Sequence, residues 1–542
     1  LKALSCRFVD PWFTEIKKGY VILNGSTVIG VTRREPDVDI VTDVEGVVAP
    51  GYVDAHVHVE SSGLAPWSYA EMVSELGVTS VVWDPHEVVN VAGDKGLRWA
   101  LRCAELAEPF NMYVALPSCV PALGEPYETS GGEVDEDTVE RYAAHPKVVA
   151  LGEVMDVGGV LEGSKEDMID VAIRYNLTVD GHAPGLIGEE AALYFSKGPE
   201  TDHEASIPEE FETRRELGVW TFVREGSSSR DLDAAIEALE DLVGVCLVTD
   251  DLHASDHGER GLTYMADRLM EAGFDPLDVM KTVTLNPSLC YGLRDGRLIP
   301  GSPANLVLLP SDLSTFEPEK VLLGGRDREN VSFEGPRMEL PDPRPVAEVP
   351  HAPEGEFLVR CVRVSEGTLR TEEVVREVRI ERGRVVEEDV AFLVVMDRYG
   401  EGHASLAFVD GLELLDCGVV TTVAHDSHNV VAASRDLRMI ERCIDMVRER
   451  GGCQGVVTPE GEEVYARLDV AGLMYSGDRG DFVEAYERVL RAVWEWSGVD
   501  WNPFDALTFV TLPVIPELRV TDRGLVRVDP GGEVRFVDVF VS

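Results

Sequence analysis

Gly51-Tyr52-Val53-Asp54-Ala55-His56-Val57-His58-Val59-Glu60 reads as an apolar β-strand that ends in His-x-His. Side chains alternate along a strand, so His56 and His58 point the same way. Val53, Ala55, Val57 and Val59 fill the other phase, which sets the two imidazoles apart from an ordinary core strand. Two imidazoles on one side of a strand end form half of a metal site. His-x-His alone carries little weight; the pattern downstream of it decides.

From residue 50 onward, apolar strand-like runs alternate with helix-like stretches. The runs are Val48 to His58, Val78 to Asp84, Met112 to Pro117, Val148 to Glu153, Leu177 to His182, the region before His203, Val219 to Arg224, and Val245 to Asp250. Amphipathic segments such as Pro66 to Leu76 and Asp231 to Leu242 lie between them. Eight strands alternating with helices predict a TIM-like (β/α)8 barrel over residues 50–294. Residues 1–49 read as short strands with Asn24-Gly25 as a turn. After Asp295 the stretch Gly296 to Leu309 reads as a hairpin able to pair with those N-terminal strands. Residues 1–49 plus 295–340 are thus expected to form a small β-domain. Glu334 to Glu356, rich in Pro and acid, reads as a linker. A mixed α/β unit over 350–542 follows.

Barrel chemistry sits at the C-terminal ends of the strands. Here those ends carry His56 and His58; Asp84-Pro85-His86-Glu87; Glu153; Asp180-Gly181-His182; Asp202-His203-Glu204; and Asp250-Asp251. Taken singly, such a histidine is more often a structural hydrogen-bonder and such an acid a helix cap. Six loaded strand ends in a chain with 12 histidines resist that explanation. Four histidines and two carboxylates can hold two divalent metals. His56, His58 and Asp250 would serve one metal and His182 and His203 the other, with Glu153 placed to bridge them. Water shared by two metals becomes a nucleophile near neutral pH, and Asp250 could accept its proton.

The chain has 542 residues, enough for two or three domains. Its net charge of -50 argues against binding nucleic acid through phosphates and against an anionic membrane surface. The acids are spread along the chain, so they form a solvated surface, expected to suit a salty cytoplasm that screens self-repulsion. Nine cysteines without a C-x-x-C pair fit reduced thiols. No signal peptide and no apolar run of spanning length is visible. A cytoplasmic location is expected.

The chain resembles the adenine deaminases of the amidohydrolase superfamily. The His-x-His strand, the two later histidines and the strand-eight Asp are general to the superfamily. More specific are His58-Val59-Glu60-Ser61-Ser62, Asp84-Pro85-His86-Glu87-Val88-Val89-Asn90, and Leu116-Pro117-Ser118-Cys119-Val120-Pro121-Ala122. Leu151-Gly152-Glu153-Val154-Met155, Asp180-Gly181-His182-Ala183-Pro184-Gly185, Thr201-Asp202-His203-Glu204, Arg224-Glu225-Gly226-Ser227 and Thr249-Asp250-Asp251 follow. Val423-Ala424-His425-Asp426-Ser427-His428-Asn429 and Leu512-Pro513-Val514-Ile515-Pro516-Glu517-Leu518 match in the last unit.

The resemblance implies a deformed barrel, a binuclear manganese or iron centre, and hydrolysis of adenine to hypoxanthine and ammonia. It implies His56, His58, His182, His203 and Asp250 as metal ligands. Glu153 stands where relatives hold a carboxylated lysine, as bridging ligand, as proton shuttle to the ring nitrogen, or as both. Asp250 would pass the water proton to departing ammonia. Asp84, His86 and Glu87 would orient the base or support the ligands; the other reading of Asp84-Pro85 is a helix-capping start. Ser118, Glu87, His425 and His428 are candidate substrate contacts, although His425 to His428 could equally only build the last domain. Cys119 reads as structural. The expected partners are adenine and a second copy of the chain in a homo-oligomer, a dimer, with no nucleic acid and no membrane.

Gly63 stands where the family usually has Met, Leu252 where it often has a basic residue, and the N-terminal segment is shorter than usual. Two competing readings are another cyclic amidohydrolase or a deaminase of a related 6-aminopurine, and a silent binding barrel. Glu153 in place of lysine weighs against the cyclic amidase, and the intact ligand set against silence.

Overall fold

The computed structural model describes residues 1–541 except 367, 369, 415 and 530–532. Five parallel strands run in order: Tyr52–Val57, Val78–Trp83, Asn111–Leu116, Val148–Val154 and Thr178–Gly181. Three more parallel strands continue the circuit: Thr201–Asp202, Trp220–Arg224 and Val245–Val248. Together they are the eight strands of the (β/α)8 barrel. The two sheets meet through a few hydrogen bonds and not a full ladder, so the barrel is deformed. On one side the Glu200 amide donates to the Val179 carbonyl at 2.8 Å. On the other, the Asp250 amide donates to the His56 carbonyl and the His58 amide to the Asp250 carbonyl, at 3.1 and 3.2 Å.

The first barrel strand departs from simple alternation. Val53 and Ala55 join the interior cluster with Val82, Ala115, Ala150, Phe222 and Val248. Val57 and Val59 instead join the outer core packed under the helices. The register against the second strand shifts between Asp54 and Val57. A bulge of this kind turns the side-chain phase and re-aims residues at a barrel rim. The single phase expected for Val53 through Val59 is therefore corrected, and the shift is what swings His56 and His58 into the mouth.

A seven-stranded sheet flanks the barrel. It combines Lys2–Val9, Ile16–Asn24, Thr27–Thr32 and Ile40–Pro50 with Leu306–Leu309, Lys320–Leu323 and Arg326–Asp327. Leu306–Leu309 pairs antiparallel with Val47 to Pro50. The hairpin within Gly296 to Leu309 does not form: residues before Leu306 make only an isolated bridge, Thr27 to Pro303. Pro300 and Pro303 lack the N–H a ladder needs, and the return strand is supplied by Lys320–Leu323.

The last unit is built on a nine-stranded mixed sheet running from Gly355–Arg363 to Glu463–Arg467. Helix Leu437–Arg450 covers one face. Its Leu437, Ile440, Ile444 and Val447 recur at helical spacing and share a core with Val420, Ala432 and Val457 of the strands it covers. Asp436 caps it by accepting from the Arg438 amide at 2.9 Å. The unit docks on the barrel's C-terminal face. The Ala65 amide donates to the Tyr475 carbonyl, the Tyr475 amide to the Gly63 carbonyl, and Asn429 to the Thr129 carbonyl. Gly63 has φ of 74°, and a Cβ there would stand 2.4 Å from the Phe482 ring. Phe482 of the docked unit thus fills the space that a larger side chain at position 63 would need.

Candidate metal centre

The strand ends bring His56, His58, Glu153, His182, His203 and Asp250 into one group, buried except for the partly exposed His182. Asp250 Oδ1 lies 3.2 Å from His56 Nε2 and 3.2 Å from His58 Nε2. Glu153 Oε1 lies 3.1 Å from His58 Nε2, while Glu153 Oε2 lies 2.6 Å from His182 Nδ1 and 3.2 Å from His203 Nε2. One carboxylate therefore faces both halves of the set. Sets such as His56, His58 and Asp250, or His56, Glu153 and His203, have donor atoms within 4.8 Å of one another.

The surroundings fix these donors. His58 Nδ1 faces the Asp84 carbonyl at 3.0 Å. A carbonyl only accepts, so Nδ1 carries a proton and Nε2 faces Glu153 and Asp250, where a cation would take the place of the second ring proton. Both ring nitrogens of His56 are buried with no hydrogen-bond partner, a cost that a cation at Nε2 would relieve. Asp250 sits at φ of 52°, a conformation rare for a non-glycine residue and found where structure holds a residue for function. Burial pushes the Glu153 carboxyl up, but hydrogen bonds from His182, His203 and His58 outweigh it and hold it well below the usual range. Burial likewise opposes ionisation of Asp250, and His56 and His58 hold it low. Both carboxylates are thus charged and ready to ligate. Imidazole and carboxylate donors without a thiolate fit divalent first-row cations.

The other expected residues fall around this group. Asp84 does not face it directly. Its Oδ2 accepts from the Glu153 amide and its Oδ1 from the His86 amide, both at 3.1 Å. Asp84 thus ties the start of the following helix and the fourth strand to the second strand. Ser118 donates its hydroxyl to the Glu153 carbonyl at 2.7 Å, so that hydroxyl is engaged with the strand end. His86 Nδ1 lies 3.5 Å from Glu153 Oε1, and His86 Nε2 3.2 Å from Glu87 Oε1. Beyond His86, Glu87 contacts both His425 and His428 of the last unit. The His425 to His428 loop therefore touches the barrel through Glu87. Cys119 is buried beside Ser118, outside the donor sets.

Three neighbours went unassigned in the sequence. Glu204 groups with His182 and His203, its Oε1 lying 3.4 Å from His203 Nε2. Arg224 pairs with Glu204, Asp231 and Asp250. Asp426 reaches within 3.9 Å of His86. Each belongs to a motif noted above; Arg224 was further marked by being a cation at a strand end.

Residues 47–327 match the amidohydrolase family profile, and residues 368–531 match the adenine deaminase C-terminal domain. A protein named adenine deaminase from Methanopyrus kandleri is 56% identical over 547 residues, covering 100% of this chain and 90% of that protein. The chain belongs to the adenine deaminase family. Further members are similar along most of their length. The adenine deaminase of Methanothermobacter thermautotrophicus is 36% identical over 89% of this chain and 91% of its own. That of Methanothrix thermoacetophila is 34% identical over 97% and 95%. Adenine deaminase family membership makes this chain a hydrolase that uses divalent metal, in keeping with the donor set at the barrel mouth.

Proposed function

We propose that this chain deaminates adenine, adding water and releasing hypoxanthine and ammonia, in purine salvage. The observation that carries the reading is Glu153, a carboxylate in reach of three strand-end histidines where both halves of the donor set meet. His56, His58, His182, His203, Glu153 and Asp250 would hold two divalent cations, manganese or ferrous iron. Such cations would lower the pKa of a bound water toward about 7 and so supply a nucleophile at neutral pH.

The remaining work falls to side chains of the chain. Asp250 accepts the proton of the attacking water and delivers it to the departing amine. Glu153, charged at rest, takes the other proton of that water and passes it to the ring nitrogen beside the amino-bearing carbon. Asp84 and Ser118 hold the Glu153 backbone by its amide and carbonyl, and His86 flanks its Oε1; these three are positioning residues. Burial of the group under the last unit keeps bulk water from the reacting carbon. The less enclosed side is marked by His182, whose side chain is 20% exposed.

We read the chain as three units, the flanking β-sheet, the barrel and the last α/β unit. A cytoplasmic homodimer is the form we propose. Asp250→Asn tests the assignment. It should keep most of the bound metal and lose turnover by about 10²- to 10⁴-fold, measured by metal analysis and ammonia release. Unchanged turnover would remove Asp250 from the mechanism.

A further inference from the structure

A second group of ligand-type side chains stands where the loop after the second barrel strand meets the His425-Asp426-Ser427-His428 loop. His86 Nε2 lies 3.2 Å from Glu87 Oε1 and 3.9 Å from Asp426 Oδ1. His425 Nδ1 lies 4.0 Å from Asp426 Oδ1 and against Glu87 Oε1. All four residues are buried, and these atoms lie within 4.8 Å of one another. Donors about 2.1 Å from a first-row cation stand roughly 3–4 Å apart, close to the spacing here.

Two observations point to a ligand role for these carboxylates. Glu87 Oε1 and Asp426 Oδ2 are buried and have no hydrogen-bond partner. Glu87 Oε1 therefore approaches two imidazole nitrogens without hydrogen-bond geometry, as donors do when they converge on a common point. His56 Nε2 shows the same signature in the barrel mouth, 3.2 Å from Asp250 Oδ1 and unpartnered. His428 supplies the support expected behind a ligand. Its Nδ1 accepts from the Ala424 amide at 3.0 Å, so Nε2 carries the proton and donates to Glu87 Oε2. That ties one carboxylate oxygen and leaves the other aimed at the cluster.

We propose that His86, Glu87, His425 and Asp426 bind a third divalent cation, separate from the barrel pair, which fastens the last unit to the barrel. Two imidazoles and two carboxylates suit manganese, ferrous iron or zinc. The ion offsets the cost of two carboxylates buried side by side in a dry junction. His86 Nδ1 lies 3.5 Å from Glu153 Oε1, so the new site is one imidazole away from the barrel centre. This places Glu87, His425 and His428 at the junction instead of at the purine. The proposal rests on its own donors and not on the reaction assigned to the barrel.

The test uses the full chain, loaded with manganese and freed of loose metal by gel filtration. Metal is counted by mass spectrometry and located by anomalous scattering from crystals. The expected count is close to three per chain, with one anomalous peak between Glu87 and Asp426. Asp426→Ala should lower the count by one and erase that peak alone. Peaks at the barrel pair with none between Glu87 and Asp426 would overturn the proposal and leave a metal-free ion-paired junction. A peak there beside an empty barrel would support it and overturn the binuclear reading instead. Should Asp426→Ala fail to fold, the wild-type map decides.

Discussion

In the barrel mouth His58 is set by the carbonyl its second nitrogen meets, and Asp84 by the backbone amides it serves. The two oxygens of Asp84 satisfy the buried amides of Glu153 and His86. Asp84→Ala leaves both unpaired, at about 1–3 kcal/mol each, and frees the strand end that carries Glu153. The variant should melt well below wild type and lose turnover, with calorimetry and steady-state rates as the checks. At this scale His56, His58, His182, His203, Glu153 and Asp250 were legible because ligand-type residues stood at successive strand ends. Glu204 and Asp426 were not, since a carboxylate beside a histidine reads equally well as a cap. Asp84 and Ser118 were legible as residues near the site, but their contacts are to backbone groups, which sequence does not display.

Among the elements, the barrel strands were legible from their apolar runs, and the bulge in the first was not. It arises from pairing with the second strand, where the register shifts between Asp54 and Val57. Sequence alternation assumes an unbroken ladder and so put four residues on one face. The misplaced hairpin has a similar origin: Gly296 to Leu309 contains strand-like residues, but its prolines cannot donate and the partner strand lies further on. The strand ends also hold a buried carboxyl in the barrel interior. Asp180 accepts from Thr201 at 3.0 Å and from Tyr291 at 2.9 Å, and burial pushes its carboxyl up to about 8. The folded state then binds a proton that the unfolded chain releases near 3.8. Stability from this group falls as pH rises through that window. Asp180→Asn, which keeps an acceptor and cannot ionise, should gain on wild type as pH rises from about 5 to about 8. Denaturant unfolding at both values checks this, and a constant difference would contradict it.

For the whole molecule, the decisive arrangement is the last unit seated on the mouth of the barrel. Tyr475 pairs with the loop after the first strand, and Glu87 is gripped by two histidines from more than 300 residues away. The existence of that unit was legible from composition and motif; its placement was not, because nothing in a linear sequence says which face a distant sheet covers. Gly63 against Phe482 shows the consequence, a small residue whose reason lies in another unit. The net charge of -50 acts at this scale as well. Self-repulsion spread over the surface is screened by salt, so the melting temperature should rise with added potassium chloride. A melting temperature indifferent to salt would contradict the salty-cytoplasm reading.

The most direct measurement is release of hypoxanthine and ammonia from adenine by protein reconstituted with manganese or ferrous iron, with adenosine and dihydroorotate run beside it. The account predicts turnover of free adenine alone, lost when the metal is chelated and restored when it is returned. Two cations bound at the barrel mouth with no turnover of adenine, or turnover of dihydroorotate in its place, would contradict it.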